Sequence, residues 1–125
     1  MTIFEALAIL ETAVLNCKKK DVNTPEATAA LDLLAPYIRP KLVVAEFGHH
    51  LQSGENDREG QQQVLCVTFP KIRNSVRELI GQEMDALARD FPDTDDMELK
   101  TAIVCLAREY RRLSKPWDGT AKSFR

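Results

Sequence analysis

The segment Glu46-Phe47-Gly48-His49-His50 holds both histidines of the chain, with a carboxyl three and four residues ahead of them. Imidazole and carboxylate at helical spacing are the materials of a metal site, and Glu-x-x-His is the spacing used by di-iron carboxylate bundles. On a helix turning about 100° per residue, Glu46 and His50 at i and i+4 can reach one ion, whereas the adjacent His49 and His50 diverge. If Val44, Phe47 and Leu51 mark the core direction, Glu46 and His49 point outward and His50 lies on the flank. A di-iron centre needs a second such motif and two further carboxylates, all facing inward. With no histidine outside the pair, only a symmetric copy of the chain could supply them. The residues therefore read first as a solvated polar helix face. A metal- or small-ligand-binding bundle using Glu46, His49 and His50 is the alternative, and no cofactor is expected.

Nucleophilic chemistry needs a nucleophile, a base and an orienting group within mutual reach. Ser53 follows His49 by one helical turn, but no strand-turn-helix elbow surrounds it. Cys66 or Cys105 would need a tertiary contact with His50. The five glycines form no phosphate-cradling loop. No catalytic set can be assembled from these positions, so the expectation leans away from an enzyme.

Charge narrows the field further. Seventeen basic and nineteen acidic residues leave a net charge of −2, which argues against bulk attraction to nucleic acid or to an anionic membrane. The basic clusters, Cys17–Lys20, Ile38–Lys41 and Arg108–Lys115, all fall at or next to expected helix ends, where cations complement the helix dipole. Nucleic-acid binding through Arg108, Arg111, Arg112 and Lys115 is a further alternative, but the loop at Gly54 is too long for a helix-turn-helix. Three widely spaced cysteines, Cys17, Cys66 and Cys105, read as reduced thiols in a cytoplasmic protein. The N-terminal segment carries Glu5 and Glu11 and no basic region, so it does not read as a secretion signal. No apolar run reaches the roughly 18 residues that span a bilayer.

The elements that must position these residues are helical. Ile3, Leu7, Leu10, Val14 and Cys17 follow the rhythm of one helix face. Thr24 and Pro25 mark the start of a second helix, with Leu31, Leu34 and Ile38 inward and Pro36 ending or kinking it. A third is expected from about Pro40 to Ser53, closed by Gly54. The polar stretch from Ser53 to Gly60 reads as the longest loop. Val64–Phe69 is β-branched enough to suit a short strand, but a lone strand has no partner, so a helix that breaks or kinks near Pro70 is expected. Helical spacing then runs from Lys71 to Phe91, and a last helix is expected after Asp93 or Thr94 as its cap, with Leu99, Ile103, Leu106, Tyr110 and Leu113 as its stripe. The prediction is an all-α, single-domain antiparallel bundle of five to six helices over residues 1–115, followed by an irregular tail over 116–125.

Two helices are apolar on more sides than their stripes require. Phe4, Ile9 and Leu15 widen the first helix, and Val104 lies nearly opposite the stripe of the last. Such a helix is either central in its bundle or covered by a second chain. Beyond the last helix, Trp117 and Phe124 can dock on the bundle or anchor a partner. The expected function is protein–protein contact, as an adaptor, regulatory or neutralising partner that also self-associates as a homodimer. The contact residues expected from the sequence are Val104, Tyr110, Arg111, Arg112 and Trp117.

Overall fold

The computed structural model of the chain describes residues 1–53, 58–117 and 119. They form helices α1 (Ile3–Asn16), α2 (Pro25–Leu34), α3 (Lys41–Leu51), α4 (Arg58–Asp90) and α5 (Met97–Ser114), with one 3₁₀ turn over Ala35–Tyr37. The fold is all-α, and no strand occurs among the described residues.

Local chemistry explains most of the helix boundaries. The Thr24 hydroxyl accepts from the Ala27 amide at 3.1 Å, and Pro25, which lacks an N–H, occupies the first helical position. Helix α2 gives way to the 3₁₀ turn at Ala35, one residue before Pro36. The start of α5 corrects the sequence expectation. Its N-cap is Asp96, not Asp93 or Thr94, and the Asp96 carboxylate accepts from the Glu98 and Leu99 amides at 2.9 and 3.3 Å. Thr94 instead stabilises the lead-in turn by accepting from the Asp96 amide. Asp96→Ala is expected to cost about 1 kcal/mol, measurable as a drop in the urea midpoint, whereas Asp93→Ala should leave it unchanged.

Helix α4 overturns the expected break at Pro70. It runs uninterrupted for 33 residues with Pro70 inside it, and at 1.5 Å per residue it is roughly 50 Å long. Proline in a helix interior removes one backbone hydrogen bond and costs about 3 kcal/mol. The core on either side outweighs that cost. Leu65, Phe69, Ile72, Val76 and Ile80 recur at helical spacing and are all buried. Val64–Phe69 is thus helical, and Arg58–Gly60, expected as loop, already belong to α4. Gly54, expected to close α3, lies outside the described residues.

The other helices assemble around this spine. Helix α1 packs on both α2 and α4, and α3 lies along the first half of α4. The core joins Leu7, Leu10 and Val14 of α1 and its C-cap Cys17 to Ala30 and Leu34 of α2, and to Phe47 and Leu51 of α3. Buried polar groups tie the ends. Gln61 Nε2 donates to the His50 and Leu51 carbonyls at 2.8 and 3.4 Å, satisfying acceptors that the end of α3 leaves open. The Ser75 hydroxyl accepts from the Arg39 amide at 3.1 Å.

Candidate functional site

Helix α3 keeps the histidines off the core. Its buried face is Val43, Phe47 and Leu51, with Val44 only half-buried. That is a small rotation from the face expected from the sequence, and it leaves Glu46 and His49 exposed. His50 is half-buried, and its Nδ1 lies 3.0 Å from the Glu46 carbonyl one turn back, so that nitrogen is engaged by the helix's own backbone. The two imidazoles meet edge to face, with centroids 5.1 Å apart and planes 82° apart. Among the described residues no three His, Cys, Asp or Glu side chains gather as a metal site would require. No helix among them is long and apolar enough to cross a membrane.

The cysteines are free thiols in three environments: Cys17 buried, Cys66 half-buried and Cys105 exposed. Burial raises the Cys17 thiol above its ordinary value, and the nearby Cys66 pushes it the same way. Burial also raises Cys66, against the pull of Lys18. A raised pKa keeps both in the unreactive thiol form at about pH 8. Iodoacetamide is therefore expected to modify Cys66 sluggishly and to spare Cys17 until the protein unfolds, read out by peptide mass spectrometry with and without denaturant.

The unusual region is the helical hairpin formed by the C-terminal third of α4 and by α5. Helix α5 runs back along α4, with Arg73 Nη1 donating to the Lys115 carbonyl at 3.2 Å. Further along, the Tyr110 ring lies against Gly81, so close that a Cβ there would stand 3.1 Å from Tyr110 Cε2. From Gly81 to Arg112 no side chain is buried. Met84, Leu87, Leu99, Ile103 and Leu106 face one another across the hairpin yet remain half-exposed. Two helices alone cannot enclose an apolar stripe between them. On the outside, Phe91 is 50% exposed, Met97 70% and Val104 57%. At the hairpin's root, Ile3, Phe4, Tyr37, Leu79 and Leu106 line an apolar cleft of about 260 Å³ with Glu83 at its edge.

The residues singled out from the sequence separate here. Val104, Tyr110, Arg111 and Arg112 are exposed on α5. Arg112 is engaged within its own helix by Glu109, Nη2 to Oε2 at 2.8 Å. Arg108, Arg111 and Lys115 are exposed at the same end. Trp117 sits elsewhere. Its ring packs edge-on against the buried Phe69 at 5.0 Å, and its Nε1 donates to Glu11 Oε1 at 3.3 Å. Phe124 lies outside the described residues. Sequence reading missed Phe91 as a surface residue because its spacing fits the stripe of the preceding segment, and did not consider Met97, which shares the side of Val104. The turn between them was the available signal, since a hairpin tip has no third element to pack on. Comparison with protein-family models, with curated proteins and with solved structures finds no match for this chain.

Proposed function

We propose that this protein acts by protein–protein contact, with the α4–α5 hairpin as its contact surface, in the manner of a small adaptor, regulatory or neutralising partner. The observation that carries the reading is the stretch from Gly81 to Arg112, more than a quarter of the chain, in which apolar side chains recur at helical spacing and none is buried. Contiguous exposed apolar surface of this kind marks an interaction site. The apolar breadth of α1 has another outlet, because α1 packs on both α2 and α4, which leaves Phe4, Ile9 and Leu15 half-buried rather than exposed. Among the described residues α4 is the main neighbour of α5 along the hairpin, which leaves the outer face of α5 for a partner. The simplest partner is a second copy. Three free thiols and a near-balanced charge fit a cytoplasmic setting, and the charge balance weighs against nucleic acid as the partner.

Photo-crosslinking tests this reading by position. A benzophenone side chain at Met97 or Val104 is expected to yield a discrete covalent protein product in cells, and the same group at the exposed Asp32 of α2 should not. Equal products from all three positions, or none, would remove the hairpin as the contact surface.

A further inference from the structure

Resting on that contact-surface reading, we propose that the occupant of the outer face of α5 is a second copy of the chain, paired antiparallel across a two-fold axis beside Thr101, Val104 and Cys105. Met97, Thr101, Val104, Cys105 and Arg108 recur at helical spacing and are all exposed, so they form one continuous outward face. The middle of that face carries only a hydroxyl, a small branched side chain and a thiol. Two such faces can approach to the 8–10 Å typical of packed helices without burying a long charged side chain at the centre.

The order of charges selects the partner and its direction. Asp93, Asp95, Asp96 and Glu98 stand just before and at the start of α5, and Arg108, Arg111, Arg112 and Lys115 at its end; Lys100 and Glu109, the latter paired with Arg112, are the two charges of the opposite order. This polarity complements the helix dipole within one chain. It also makes the surface self-complementary. A two-fold axis brings each acidic end onto the other copy's basic end, twice over, as an isologous interface requires. A parallel pairing would set acid against acid and base against base. The register that places Glu98 opposite Arg108 of the second copy also places Thr101 opposite Cys105 and Ala102 opposite Val104. The acidic lead-in then falls beside Arg111 and Arg112 of the second copy. A nucleic acid or an anionic bilayer would engage the basic end and be repelled by the acidic one. A single helix pair lies at the small end of specific interfaces, so a dimer that dissociates at about 10 µM is expected.

Sedimentation velocity of the untagged full chain in reducing buffer, from about 1 to 200 µM, tests the proposal. The wild type should pass from monomer to dimer across that range. Val104→Arg sets like charges beside the axis and should weaken the dimer at least about tenfold. Arg108→Glu/Arg111→Glu makes the four facing positions 95, 98, 108 and 111 all acidic, and Asp95→Lys/Glu98→Lys makes them all basic; each alone should be monomeric at about 50 µM, while their mixture forms a heterodimer. All five substituted positions are exposed, and the far-ultraviolet helical signal confirms folding before each run. A wild type that stays monomeric throughout overturns the proposal, as does a dimer indifferent to Val104→Arg and to both charge reversals. If the wild type is monomeric while Met97 and Val104 crosslink to a different protein, self-pairing fails and the contact-surface reading stands. If the position-specific crosslinks are also absent, both fail.

Discussion

Phe69→Ala is expected to destabilise the protein by about 3–5 kcal/mol, the range for emptying a fully enclosed aromatic site. Phe69 is fully buried in the first half of α4, within the single core cluster. On one side its ring lies 6.5 Å from Phe47 of α3, and on the other 5.0 Å from Trp117 beyond the end of α5. It is also the residue before Pro70, where the helix forgoes a backbone hydrogen bond and depends on packing to stay continuous. Truncation removes dispersion contacts on both sides and withdraws support from the proline turn. For a chain of this length the melting temperature should fall by about 10–15 °C. Phe69→Leu should recover more than half of the loss, because it refills most of the volume. Thermal and urea unfolding followed by circular dichroism measure both variants. A loss below about 1 kcal/mol for the alanine variant, well under the range for a buried aromatic, would mean that Phe69 does not occupy the site described.

Trp117→Ala should cost about 2–4 kcal/mol, less than a fully buried aromatic because the indole is half-exposed. Two losses combine. The edge-to-face contact with Phe69 disappears, and Glu11, itself buried, loses the indole N–H that donates to it. An unsatisfied buried polar group costs about 1–3 kcal/mol on its own. Trp117→Phe separates the two terms, since it keeps a ring against Phe69 and removes only the donor. A double-mutant cycle of Trp117→Phe with Glu11→Leu should show coupling of about 1 kcal/mol. Additive effects would show that the indole–Glu11 hydrogen bond does not contribute. The result bears on function as well. A tryptophan engaged with its own core is a closing group of the fold, which leaves the outer face of α5 as the surface available to a partner.

Local chemistry and period were enough to read much of this fold. The 3.6-residue rhythm of Leu7, Leu10, Val14 and Cys17 identified the buried face of α1, because a helix facing a core must be apolar at that spacing. Thr24 and Pro25 marked the start of α2, because cap geometry depends on residues adjacent in the chain. The outward placement of Glu46 and His49 followed from the same angular arithmetic.

What the tertiary structure decided are matters of which element lies against which. Pro70 looked like a break because propensity is local, and α4 continues through it because Phe69 and Ile72 are enclosed by other helices. Gln61, Arg73 and Ser75 are polar, yet each is buried where it meets a backbone group of another segment, which no local pattern signals. Asp93 or Thr94 was the cap expected from the sequence; Asp96 serves as well by type, and the path of the turn after Phe91 selected it. Helices α1 and α5 both carry apolar residues outside their main stripes, α1 more of them than the amphipathic α5. The sequence by itself determined that each has more than one apolar side, since composition and period define a helix's faces. Only the packing placed α1 between two neighbours and left the outer face of α5 exposed among the described residues, because a face is buried or exposed according to what the rest of the chain brings against it.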